Sequence, residues 1–247
     1  EEIVPVVEIS DNANSVSETE KVYFSQGNLQ YQASSGTWRF AEHQYDMIDL
    51  KNKNISSTYS GWIDLFGYGT SGWNSGFEAY QPYSTGYDGY LEKSSLIGSY
   101  ANADWGVYNK ISNGGNAAGM WRVLTISEWE YVINGRKNAS EKYGVAKVNG
   151  VKGLVLLPDS WTLPSNVSFT SGSGPYYATN TYTTSQWAKM EANGAVFLPA
   201  ANIRYNTTMN YESNGGIGVY WSSTTTNTNE GAYAMSITAY GGEKSNE

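Results

Sequence analysis

The sequence predicts an α+β domain in which twisted antiparallel sheets carry two or three short helices and long ordered loops. Composition is the first reason. The chain has 21 Tyr, 9 Trp and 27 Gly among 247 residues and is only 15% charged, so its polarity rests on Asn, Ser, Thr and Tyr. That mixture suits strands and turns better than charged helical surfaces. Order is the second reason: helical patterns precede most strand patterns of the back half, which favours helices packed on an antiparallel sheet over alternating parallel α/β units. The third is a helix start at Thr125-Ile126-Ser127-Glu128, where a hydroxyl and a glutamate three residues on can cap each other's backbone amides.

In chain order, residues 1–20 are acidic and polar with one short apolar stretch at 3–9. They read as the remnant left when an export or lipid-attachment segment is removed, which places the domain at residues 21–247. From Lys21, Val22, Phe24, Leu29 and Tyr31 alternate with polar residues around Gly27-Asn28, and Trp38 and Phe40 continue the alternation. This predicts a small antiparallel meander. Between Asp49 and Gly98, Gly, Ser, Tyr and Asn surround Trp62, Phe66, Trp73 and Phe77. An aromatic-rich stretch of this kind reads as ordered loops pinned by rings, because disordered segments are aromatic-poor.

A short helix is expected from Asn102 or Asp104 to Ile111. A second starts at Thr125, with Trp129, Val132 and Ile133 at helical spacing, and stops at Asn134-Gly135. A third runs from Thr184 or Ser185 to Ala192 and stops at Asn193-Gly194. Each has a polar start and a glycine stop. Strands are expected at 151–157, 195–198, 219–222 and 232–237, joined by Asn, Gly, Ser and Thr.

Charge and residue counts remove whole classes of function. A formal charge of −8 lacks the basic patch that a nucleic-acid backbone requires. With no Cys and only His43, there is no disulfide, no thiolate nucleophile and no multi-histidine metal site. No apolar run approaches the roughly 18 residues of a membrane-spanning helix.

Trp121-Arg122-Val123-Leu124-Thr125-Ile126-Ser127-Glu128-Trp129 resembles a Trp-Arg-Leu-Pro-Thr-x-x-Glu-Trp helix start. Gly218-Val219-Tyr220-Trp221-Ser222-Ser223-Thr224, with Ala232-Tyr233-Ala234-Met235 after it, is similar to a Gly-Tyr-Tyr-Trp-Ser-Ser strand and its successor. Both patterns belong to a large family of surface proteins of gut-dwelling Gram-negative bacteria with a C-type-lectin-like fold, related to the formylglycine-generating-enzyme branch. The resemblance extends from about Lys21 to Tyr240 and includes the stretches 22–31 and 193–201. It implies a C-type-lectin-like fold and an exported, surface-exposed or lipid-anchored protein. Two departures stand out. The family's Leu-Pro is Val123-Leu124 here, and the chain lacks the Val-Arg-like closing strand, which leaves the last sheet edge in doubt.

The fold hosts enzymes as well as binding proteins, so function has to come from the site. The cysteine pair and the histidine cluster that serve the enzymatic branches are absent. Asp88, Glu92, Asp104 and Asp159 could supply a carboxylate pair for glycosidase chemistry, yet none sits in a motif and each suits a loop or helix cap. No cofactor is expected. Calcium, if bound, is expected to be structural, near Asp88 or Asp104.

The expected function is therefore non-catalytic: an adhesin or lectin-like domain that recognises a glycan or protein at a cell surface. Candidate contact residues are Trp62 and Trp73, as sugar-stacking rings on the glycine-rich loops, and Tyr205, Asn206, Asn210, Tyr211, Asn214, Asn227 and Asn229 in the Asn- and Tyr-rich stretch before and after the 219–222 strand. Trp121, Trp129 and Trp221 are expected in the core. Two alternatives remain open, an accessory subunit of a surface appendage and a divergent carbohydrate-active enzyme.

Overall fold

The computed structural model describes residues 12–75, 80–85, 94–172, 177–210, 216–226, 231–239 and 241–246. Its centre is a four-stranded sheet of β5 (Tyr143–Val148), β6 (Val151–Leu156), β7 (Asn180–Tyr182) and β8 (Val196–Pro199), in spatial order β7-β5-β6-β8. The β5·β6 and β6·β8 pairs are antiparallel, but β7 runs parallel to β5. The all-antiparallel expectation is corrected at this edge, because β7 returns only after the crossover that follows β6.

Both faces of this sheet are covered, which explains the nearly unbroken apolar run of β6. Val145, Leu154, Leu156, Val196 and Leu198 face one core region. Ala146, Val148, Val155, Leu157 and Phe197 face another. On the second side lies α3 (Thr184–Ala192), started by a reciprocal cap between Thr183 and Gln186, with Trp187 and Met190 buried.

On the first side lies α2 (Ile126–Glu130), continued by a wide turn at Tyr131–Gly135. The Thr125 cap forms as expected: Thr125 Oγ1 accepts from the Glu128 amide at 3.2 Å, and the Thr125 amide donates to Glu128 Oε2 at 2.7 Å. Trp129, Val132 and Ile133 fill the space between the central sheet and a second, three-stranded antiparallel sheet. That sheet comprises β11 (Gly218–Thr225), β12 (Ala232–Thr238) and β13 (Gly241–Asn246). β13 corrects the expectation of an edge left in doubt: residues without the closing motif still pair along β12, from Thr238↔Gly241 to Tyr233↔Asn246. Main-chain hydrogen bonds, more than side-chain identity, define an edge strand.

The predicted meander resolves into two separate pairs. β3 (Leu29–Gln32) and β4 (Thr37–Phe40) form a hairpin, whereas β2 (Lys21–Val22) pairs with β1 (Asn14–Ser15). Val16 is buried in the core, and Arg136 Nη1 donates to Asn14 Oδ1 at 2.7 Å. The packed body therefore starts before Lys21, the boundary expected from composition. A third two-stranded pair, β9 (Ile203–Tyr205) with β10 (Thr208–Asn210), stands outside the two larger sheets. No helix among the described residues is long and apolar enough to cross a membrane.

Candidate functional site

A cleft of about 1300 Å³ opens between the loops and the two sheets. One wall comes from residues 64–70, a loop held to the β3 hairpin by paired bonds between Tyr31 and Ile63, both 2.8 Å. A second wall, touching the first through Trp105 and Thr70, is α1 (Trp105–Tyr108), preceded by a 3-10 turn at Gly98–Ala103 and followed at a distance by Met120, Trp121 and Arg122. Gly106 makes this wall possible, since a Cβ there would sit 2.6 Å from the Trp121 carbonyl oxygen. The floor includes Tyr220 and Trp221 of β11, and the β9–β10 turn closes one end with Arg204, Tyr205 and Asn206.

The indoles that line the cleft are fixed by their N–H groups, as buried indoles generally are. Trp221 Nε1 donates to the Phe66 carbonyl at 2.9 Å and Trp121 Nε1 to the Gly114 carbonyl at 2.7 Å. Trp105 Nε1 reaches Thr70 Oγ1 at 3.3 Å. Tyr68 meets the Trp221 ring edge-on with centroids 5.5 Å apart. Trp121 and Trp221, expected in the core, pack against a core cluster but are half-buried and also line the cleft; Trp129, which touches it too, is buried. What sequence reasoning missed here is the pairing of the 64–70 loop with β11, which turns motif tryptophans into cleft walls.

Two carboxylates face the cleft, and both are held by amide N–H groups. Asp64 Oδ2 accepts from the Ile48 amide at 2.9 Å and Oδ1 from Asn52 Nδ2 at 2.6 Å. Burial pushes this carboxyl up to about 6, against those hydrogen bonds, and Asp49 adds to the rise. Asp104 caps α1: Oδ1 accepts from the Gly106 amide at 3.0 Å and Oδ2 from the Val123 amide at 2.8 Å. Burial raises its carboxyl as well. The described residues include no group of three or more His, Asp or Glu side chains placed to hold a metal ion. Asp159 lies elsewhere, bonded to Ser15 and Arg136. Asp88 and Glu92 lie outside the described residues.

Among the described residues, three cationic side chains line the same cleft, Lys21, Arg122 and Arg204. Arg122 grips Glu128 through both of its terminal nitrogens, at 2.5 and 2.7 Å. Although burial works against the charge, Arg122 and the Thr125 amide hold the Glu128 carboxyl below its ordinary value. Among the described residues, Arg204 donates to carbonyl oxygens, those of Asn206, Leu65 and Ser84. Burial pulls its guanidinium down to about 10.

The structure distributes the sequence candidates unevenly. Tyr205 and Asn206 line the cleft and are exposed. Trp62 and Trp73 are half-buried and lie away from it. The Arg39 guanidinium sits 3.7 Å over the Trp62 ring, and Trp73 packs edge-on against Tyr80 and Tyr100. Asn210 ends β10, while Tyr211, Asn214, Asn227 and Asn229 lie outside the described residues.

No protein-family model, no curated protein and no solved structure matches the chain. Its class is accordingly the one that its geometry defines: a cysteine-free mixed α+β domain, mostly sheet, with a wide aromatic cleft at the junction of its loops and sheets.

Proposed function

We propose that this chain is a non-catalytic ligand-binding domain of C-type-lectin-like fold, exported to a cell surface, whose cleft takes a glycan or a protein segment. One observation carries the reading. Tyr23, Met120 and Tyr205, at 65%, 57% and 53% exposure, are among the chain's most exposed large apolar side chains, and all three line the cleft. Apolar surface gathered at a concave site is the usual mark of a binding surface. The lectin-like part of the reading rests on the capped helix at Thr125 and the β11–β12 pair, which carry the family resemblance.

The commitments of Asp64 and Asp104 support binding over glycoside hydrolysis, which needs one carboxyl free to protonate and another free to attack or activate water. The appendage-subunit alternative has less support, because the β13 edge exposes Glu243 and Lys244, and charged side chains discourage edge pairing.

The test is a glycan-array and surface-extract binding screen, with calcium and with chelator, on the wild type and a Tyr23→Ala, Tyr205→Ala double variant. The expected result is saturable binding that the double variant weakens at least tenfold, about 1.4 kcal/mol, with an unchanged melting temperature. Release of cleaved sugar would instead assign the cleft to catalysis, and binding indifferent to both substitutions would place the site elsewhere.

A further inference from the structure

We propose that Arg204 is the docking point for a negatively charged group on the cleft's ligand, and that the ligand is an acidic oligosaccharide whose carboxylate or sulfate seats on this guanidinium. The inference rests on the ligand-binding reading above and specifies its ligand.

The chain's other arginines each have a clear counterpart. Arg122 holds Glu128, Arg136 faces Asp159 at 3.5 Å, and Arg39 lies over the Trp62 ring while its Nε donates to Gln30. Arg204 has no carboxylate partner among the described residues. Its Nη1 donates to the Asn206 carbonyl at 2.7 Å and the Ser84 carbonyl at 3.3 Å, and its Nη2 to the Leu65 carbonyl at 3.1 Å. A guanidinium has five N–H groups, so these bonds leave the Nε–H and a second Nη2–H. Nε is sealed from water and has no acceptor, a condition that proteins rarely tolerate without purpose. Nε and Nη2 share one edge of the guanidinium, the edge that matches the oxygens of a carboxylate or sulfate. Three carbonyls hold the fork in position before any ligand arrives, so little side-chain freedom is lost on binding.

Burial lowers the guanidinium only to about 10, so it stays cationic at neutral pH. Of the arginines lining the cleft, Arg122 is already neutralised by Glu128, which leaves Arg204 as the guanidinium without a carboxylate among the described residues. The exposed ring of Tyr205 follows Arg204 directly and lines the same cleft. Its face suits the apolar C–H face of a pyranose, and this pairing of ring and cation favours an acidic sugar over an acidic peptide. Because Nε is sealed, the ligand meets the Nη2 edge first and completes the fork when the groups that cover Nε move aside.

The test is calorimetric titration of the whole chain with oligogalacturonate and heparin-derived oligosaccharides, each beside its carboxyl-reduced or desulfated counterpart, with a neutral glycan panel and hexaglutamate as further arms. The wild type should bind at least one acidic saccharide tenfold or more tighter than its neutralised form. Arg204→Met should remove that preference, and Arg204→Lys, which keeps the charge but loses the fork, should restore only part of it. Equal affinity for acidic and neutralised saccharides would overturn the proposal while leaving the binding function standing. An unchanged preference in a folded Arg204→Met variant would overturn the role of this residue. Binding of hexaglutamate alone would overturn the saccharide assignment, and no binding in any arm, neutral glycans included, would count against both readings. The comparison of acidic and neutralised ligands on the wild type decides the matter even if Arg204→Met does not fold.

Discussion

Asp64 tests whether the cleft wall is as dry as the geometry implies. The residue is 8% exposed and its carboxyl is pushed from an ordinary value of 3.8 to about 6, so between those pH values the folded state keeps a proton that the unfolded state releases. Stability therefore falls as pH rises through this window, by about 1.4 kcal/mol per unit, and levels off above it. Over roughly two units the contribution is about 3 kcal/mol, or roughly 6 to 12 °C in melting temperature for a chain of this size. Asp64→Asn abolishes the titration. It also turns an amide N–H toward a donor, because Asn52 Oδ1 is already committed to the amides of Asp64 and Leu65, but that cost of about 1–3 kcal/mol does not change with pH. Urea unfolding of wild type and variant at pH 4, 5, 6 and 7 should show the wild type losing about 3 kcal/mol relative to Asp64→Asn between pH 4 and 7. Other carboxyls, such as Asp104 and Glu191, cancel in the difference. A difference that stays flat across this range would refute the dry wall and show that water reaches Asp64.

Two further substitutions probe the frame that holds the cleft. Trp187→Ala removes a side chain that is 1% exposed and packed against Phe197 and Tyr182; unfolding should become easier by about 3–5 kcal/mol, read from the urea midpoint. In Gly153→Ala the new Cβ would overlap the Leu198 carbonyl oxygen and the Phe197 ring. The β6·β8 pair must shift to admit it, at a cost of about 1–3 kcal/mol, and hydrogen exchange should quicken at the β6 and β8 amides while β12 stays protected.

Local chemistry made much of the frame legible. Thr125 and Glu128 start a helix because a hydroxyl and a carboxylate three residues apart satisfy each other's amides, wherever the helix later packs. The apolar runs at 151–157 and 195–198 read as strands for the same local reason. β5 escaped notice because Gly144, Ala146 and Lys147 interrupt its apolar pattern. The short β7 and the charged β13 are strands only because a neighbour supplies the other half of each ladder.

The cleft was legible only in part. Tyr205 and Asn206 stood out as ring and amide in a turn-rich stretch, whereas Trp62 and Trp73 carried the same chemistry and came to rest against Arg39, Tyr80 and Tyr100. Which face of a ring stays free depends on what the rest of the chain lays over it.

By itself the sequence determined what depends on near neighbours and on residue counts: helix caps, strand patterns, the absence of thiol and poly-histidine chemistry, and an aromatic-rich, weakly charged composition. Tertiary structure alone decided that Phe66 and Trp221, 155 residues apart, would meet to make a cleft wall. It also decided that Asp64 would lose its water and that Arg204 would donate to the carbonyl oxygens of Leu65, Ser84 and Asn206. Those outcomes arise from long-range packing, where the burial of one group is set by residues far along the chain and no local pattern encodes it.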